Sequence, residues 1–263
     1  MGCCLCLKAA INGGNLKERE GDLRKRVLPK VMKLLKNDGL NLNYETKKGK
    51  SKASVIPVIL AHLVAAVLVA LVLVWLLHFR EGLAFRSHIK PQIFNVHPLL
   101  MVIGVIVTGG QAIMAYKTVP GAKSTQKKVH LILHLIALMS GIVGIYAVFK
   151  FHQELSIPHI YTLHSWVGIS TICLYGLQWI ISFFTFAFPH SKSAAREAVA
   201  PWHKFLGIFI FILAICTAMM GLIEKFTFLN LKRSQEALVM NFAGLMIILF
   251  AAMVGLVVTI PSV

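Results

Sequence analysis

Six stretches of this 263-residue chain are each long and apolar enough to cross a lipid bilayer: residues 55–79, 93–116, 129–149, 163–188, 201–223 and 237–260. About 20 consecutive apolar residues span a bilayer core. No soluble core of ordinary size could hide so much apolar surface, since 57% of the residues are hydrophobic and 14% charged, with a mean hydropathy of +0.74. The chain is therefore expected to be an all-α membrane protein. The connections are short and carry nearly all the charge outside the first 52 residues, so consecutive helices run antiparallel and close into one compact bundle. Residues 54–260 form a single six-helix domain, and residues 1–52 a basic extension.

No cleavable secretory signal is expected, because a long basic segment precedes a first apolar stretch of full spanning length. Cys3, Cys4, Cys6, Cys173 and Cys216 form no paired framework and no disulfides are expected. Residues 1–52 hold 13 Lys and Arg against 5 acids, whereas the loops of the two sides are alike in basic content. The basic extension therefore places the N-terminus in the cytosol, and an even number of spans returns the C-terminus there. Within the extension, residues 23–36 alternate basic and apolar side chains, which suits either a solvated tail or an anionic membrane surface, with Pro29 interrupting the rhythm. The opening MGCCLC departs from the myristoylation consensus at Cys6, leaving palmitoylation of Cys3, Cys4 or Cys6 as an open reading. No nucleic-acid partner is expected, and a homodimer stays open.

Four histidines, His97, His130, His164 and His203, stand near the starts of four successive spans. Along the chain they alternate between the two membrane faces, His130 and His203 at the cytosolic one. An ionisable group within hydrocarbon is costly and usually functional, and a neutral imidazole there needs a partner that haem iron can supply. His62, His78, His88 and His190 are read as interfacial side chains satisfied by water or backbone.

Glycines follow each histidine at helical offsets: Gly104, Gly141, Gly168 and Gly207. They share the histidine's face, where a flat porphyrin needs bare surface, although singly each also suits close helix packing. A bare metal ion wants three or four ligands in one sphere. Here His130 and His134 form the only i, i+4 pair in a span, and no acid lies mid-span, so a histidine-based divalent-cation transporter is the weaker alternative. A haem-bearing anchor subunit of a larger redox complex is a third reading.

FNVHPLLMVIG around His97, AYKTVPGAKSTQKKVH leading to His130, IYTLHSWVGI around His164, PWHKFLG around His203 and GLIEKFTFL beyond it resemble the cytochrome b561 family, particularly its plant-type transmembrane ascorbate ferrireductases. The resemblance covers residues 54–260. It implies a six-helix bundle whose four central helices hold two b haems, one bound by His97 and His164 and one by His130 and His203. His134 falls where the family pattern varies and is read as a packing residue or a support to its neighbours.

The chain shows no GxGxxG fingerprint and no flavin or nucleotide domain, so its electron donor should be a small diffusible reductant. Lys117, Lys123, Lys127 and Lys128 cluster before His130, and Arg196 lies seven residues before His203, a positive ring that would steer an anion such as ascorbate. The positive-inside rule alone accounts for Lys128. The resemblance implies that Lys123, Lys127 and Arg196 bind ascorbate and that Lys117 and Lys123 contact haem propionates. Glu224 lies 21 residues beyond His203, about 31 Å along a helix, and matches a family position beside the outer haem. His152 and the run His159, Ile160, Tyr161 and Thr162 correspond to the region around that haem and its acceptor site. The implied acceptor is monodehydroascorbate or a ferric chelate, and plant members imply the vacuolar or another endomembrane.

Overall fold

A computed structural model describes residues 52–188 and 193–260. The readings made for the N-terminal extension and for His190 fall outside the described residues. Six helices follow one another. α1 comprises Lys52–Val74 and runs on through a π-helical turn, Trp75–Phe79. α2 spans Lys90–Thr118, α3 Lys123–Glu154, α4 Leu163–Ala187, α5 Ser193–Phe228 and α6 Gln235–Thr259, and all six are long and apolar enough to cross a membrane.

The helices outrun the apolar stretches that announce them. α3 has 32 residues and α5 has 36, about 48 and 54 Å at 1.5 Å per residue against a hydrocarbon core of about 30 Å. Lys123, Lys127 and Lys128 thus belong to the opening turns of α3, Arg196 to the first turn of α5, and His152 to the last turn of α3. All of them fall outside the apolar stretches 129–149 and 201–223. Charged side chains at helix ends reach water without ending the helix, so apolarity marks the lipid boundary and not the helix boundary.

α2 carries an irregularity that hydropathy does not report. Between Lys90–Leu99 and Thr108–Thr118 the chain winds as a π-helix over Leu100–Val107. Pro98, just before it, lacks the N–H for a regular rung, and wider turns re-phase the residues that follow.

In lipid the outer surface is as apolar as the interior, so packing is decided by shape. α1 and α6 pack together through Ala61, Ala65, Leu68, Val72 and Leu76 on one side and Met240, Ala243, Ile247, Phe250, Val254 and Val257 on the other. Both rows step by three and four, the spacing that brings a single seam of each helix onto its neighbour. Gly110 of α2 meets this pair closely: a Cβ there would lie 2.5 Å from Phe250 Cε1.

At the end of the bundle near His97, Glu236 opens α6 and accepts from Trp75 Nε1 at 2.9 Å and from Arg80 Nε at 2.5 Å, while Arg80 Nη2 pairs with its other oxygen. Buried Asn95 of α2 donates to the Arg80 carbonyl at 2.5 Å and the Gly82 carbonyl at 2.8 Å. This cluster ties α1, α2 and α6 together. It leaves α2 to α5, which carry His97, His130, His164 and His203, to frame the interior.

Candidate functional site

The four histidines fall into two pairs. At one end His97 of α2 faces His164 of α4, with ring centres 6.1 Å apart and planes at 88°. At the other end His130 of α3 faces His203 of α5, also at 6.1 Å, with planes at 73°. Two imidazoles in van der Waals contact along their edges would stand closer. The gap would admit one metal atom between the two imidazoles, at metal–nitrogen bonds of about 2.0 Å.

Every one of the four rings is held by its Nδ1. His97 Nδ1 donates to the Gly144 carbonyl of α3 at 3.1 Å, His164 Nδ1 to the Thr217 carbonyl of α5 at 2.9 Å, and His130 Nδ1 to the Ala112 carbonyl of α2 at 2.8 Å. His203 Nδ1 is instead within hydrogen-bond distance of two side chains of α4, the Ser182 hydroxyl at 2.8 Å and the Gln178 amide nitrogen at 2.9 Å. A hydrogen bond that fixes the proton on Nδ1 leaves Nε2 as the free lone pair and sets the plane of the ring, the arrangement usual for metal-binding histidine.

The acceptors also fix the distance between the pairs. Gly144 lies 14 residues beyond His130 on α3, and Thr217 lies 14 residues beyond His203 on α5, about 21 Å of helix in each case. The two sites are stacked along the bundle axis, one toward each membrane face. Between them lies a small packed cluster of Val105, Ala137, Leu138, Tyr175, Ile210 and Ala214.

The His97 pair borders a cleft of about 550 Å³ whose walls include Ile160, Tyr161, Thr162, His152 and Glu224, a size suited to a bound cofactor. Of the residues singled out at this end only His159 is not part of the wall; its ring stacks on His152 at 5.6 Å and touches Phe149 at 4.9 Å. Thr162 caps α4, exchanging hydrogen bonds with Ser165 in a capping box, and so anchors the helix start that carries His164.

At the opposite end Tyr116 and Phe186 pack on the pair, with ring centres 5.4 Å from His130 and 5.3 Å from His203. Lys127 donates to the Phe186 carbonyl and Lys117 to the Ile260 carbonyl at 2.8 Å. Lys123 and Arg196 are exposed in the first turns of α3 and α5, each seven residues, two helical turns, before its histidine. His134 shares a 2.6 Å hydrogen bond with the Tyr175 hydroxyl, its ring 4.4 Å from that of His130. His62 is satisfied by its own helix, at the Val58 carbonyl 2.7 Å away.

Residues 96–229 match the family described as eukaryotic cytochrome b561. Among curated relatives, a rice protein named probable ascorbate-specific transmembrane electron transporter 1 is 50% identical over 207 residues, covering 77% of this chain and 88% of the relative. The chain belongs to the cytochrome b561 family. An Arabidopsis thaliana member named transmembrane ascorbate ferrireductase 1 is 47% identical over 206 residues, 77% of this chain and 86% of that one. A mouse member named as a plasma membrane ascorbate-dependent reductase is 36% identical over 210 residues, 77% and 72% of the respective lengths.

The residues present fit the b haem that the cytochrome b561 family implies. Each pair brings two imidazole rings to centres 6.1 Å apart, and the cleft at the His97 pair is walled mostly by apolar side chains. Among the described residues no group of three or more His, Cys, Asp or Glu could hold a bare metal ion.

Two of the four glycines expected to bare a face for the porphyrin serve helix contact instead. A Cβ on Gly104 would overlap Ser140 Cβ, and one on Gly141 would meet Ile172 Cδ1 at 2.7 Å, so these glycines let α2, α3 and α4 approach. Gly168 sits against Thr217 at 3.2 Å and also borders the cleft, while Gly207 has only Gln178 near it, at 3.9 Å. The glycine nearest one of the four paired rings went unnoticed: a Cβ on Gly221 would stand 2.7 Å from His164 Cε1. Lys225 was also missed. It lines the cleft with its ammonium 3.9 Å above the Phe94 ring, and its place directly after Glu224 was the available signal.

Proposed function

We propose that this cytochrome b561 binds two b haems, one between His97 and His164 and one between His130 and His203. On this reading it carries single electrons from cytosolic ascorbate to monodehydroascorbate or a ferric chelate on the far side. The observation that carries the reading is the matched spacing of two histidine pairs, each ring tethered through Nδ1 and the pairs stacked along the same helices. The names of the rice and Arabidopsis relatives supply the donor and the class of acceptor.

A haem held by two imidazoles supplies a one-electron carrier whose iron changes valence without exchanging ligands. The protein's own part is positional. Carbonyls and a hydroxyl fix the four rings, so little rearrangement accompanies a change of charge. Lys123, Lys127 and Arg196 gather positive charge at the His130 pair, where ascorbate approaches, and Lys117 and Lys123 are placed to meet propionates. Glu224, His152 and the His159–Thr162 segment shape the far cleft, where the acceptor is reduced. The basic extension keeps the His130 end in the cytosol, with both termini on that side.

Proteoliposomes with ascorbate inside and a ferric chelate outside test the reading. Protein inserted with its His130 end facing the lumen should reduce external iron, while empty vesicles should not. Ferric reduction that proceeds only when ascorbate and chelate share one compartment would overturn transmembrane transfer.

Gly221 offers a structural check on the far site. In Gly221→Ala the new methyl group would press on His164 Cε1, well inside van der Waals contact, and the ring must shift from its place. The variant is expected to lose the haem of the His97 pair and keep the other, as pyridine haemochromogen assay and the reduced spectrum would report. Retention of both with an unchanged spectrum would show that His164 does not stand as a ligand there.

A further inference from the structure

Three of the four rings give their Nδ1 proton to a main-chain carbonyl, and His203 alone is held by side chains. Ser182 Oγ lies 2.8 Å from its Nδ1. Gln178, one turn earlier on the same face of α4, donates its Nε2 amide to the His203 carbonyl at 2.9 Å and also lies 2.9 Å from Nδ1. Ligation through Nε2 requires the proton on Nδ1, which the hydroxyl then accepts, while the amide, a donor only, is left with the His203 carbonyl as its partner. Ser182 immediately precedes the π-helical turn Phe183–Ala187, whose Phe186 packs on His203, so the end of α4 forms one wall against this ligand.

Resting on the two-haem reading above, we propose that Ser182 and Gln178 are positioning residues for His203, and that the Ser182 hydroxyl tunes the reduction potential of the cytosolic haem alone. The physical basis is the strength of the acceptor. A hydrogen bond from Nδ1–H shifts charge onto the ring and makes Nε2 a better donor to iron, which favours the ferric state. A backbone carbonyl in a helix accepts strongly from a fixed direction, whereas a serine hydroxyl accepts more weakly and can rotate. Ser182 is thus a place where a single side-chain replacement changes ligand basicity without moving the main chain.

The test is a redox titration of the purified holoprotein, with haem per chain, optical bands and low-temperature electron paramagnetic resonance recorded for each variant. Ser182→Ala removes the acceptor and should move the reduction equilibrium of one haem toward ferrous by about three- to tenfold, tenfold being 59 mV for one electron. Ser182→Asp, a stronger acceptor, should move the same haem the opposite way, and Ser182→Thr, which keeps the hydroxyl, should restore the original value. The second haem should not respond. Gln178→Leu should broaden the resonance signal of the same haem through a less uniform ring orientation. Equal potentials in the alanine, aspartate and unaltered proteins would overturn the proposal, as would a shift shared by both haems or a threonine variant that behaves like alanine. If the unaltered protein binds fewer than two haems, the functional reading itself fails, a result visible before any potential is compared.

Discussion

His203→Ala protein is expected, on the two-haem reading, to bind one haem per chain instead of two, and ascorbate should then reduce it far more slowly. His130 would be left facing an empty position 6.1 Å away, and no other described histidine approaches it from the α5 side, so a bis-imidazole site cannot re-form. The far pair should be untouched. Its rings are tethered about 21 Å further along α3 and α5, beyond the range at which substitutions usually couple. His164→Ala is the mirror experiment and separates the roles of the two ends. It should also bind one haem, yet ascorbate should still reduce the sample quickly, while a ferric chelate reoxidises it slowly. Haem per chain, measured with the kinetics of both half-reactions, distinguishes the two variants. Two haems retained in either would dissolve the pairing.

The two pairs were legible in the sequence because a titratable ring in an apolar span is conspicuous, and antiparallel helices place every second one at the same face. What anchors those rings was not. Gly144, Ala112 and Thr217 act through main-chain carbonyls, and every residue has one, so no residue type marks the role. α1 and α6 are apolar on all sides, and the seam through Ala61 and Ala243 emerges only when the helices are set against each other. The π-helical run of α2 had one visible cue, Pro98, which permits such a run without specifying it. The glycine argument failed at Gly104 and Gly141 for a related reason. A helical offset places a glycine on the ligand's face, but whether that face meets a cofactor or another helix depends on crossing points that periodicity does not contain. Gly221 stands 18 residues beyond His203 on α5, yet the space it leaves is for His164 on the neighbouring helix, which spacing along α5 does not reveal.

The basic side chains of the His130 end carry the second large effect. Lys127→Ala and Arg196→Ala should each raise the ascorbate concentration needed for half-maximal reduction by about ten- to a hundredfold, since a hydrogen bond to a charged partner contributes about 1.5–3 kcal/mol and each 1.4 kcal/mol is tenfold. Lys127 already gives one N–H to the Phe186 carbonyl, and an ammonium has three, so two remain for an enediolate anion while the first holds the side chain beside the wall that touches His203. Arg196, exposed two turns before His203, brings a planar fork suited to adjacent oxygens. Because both groups would grip one small ligand, the double variant should lose less than the product of the single effects. Lys128, exposed beside Lys127, is the matched control: Lys128→Ala should change the half-maximal concentration by less than about twofold, in line with an isolated surface charge in screening solvent. Haem content and the limiting rate at saturating ascorbate should stay unchanged in all of these proteins. Stopped-flow reduction at several ionic strengths separates binding from long-range attraction, since salt should weaken the unaltered protein's response and leave the double variant nearly flat. An Arg196→Ala protein that follows Lys128→Ala instead of Lys127→Ala would place the donor on α3 alone.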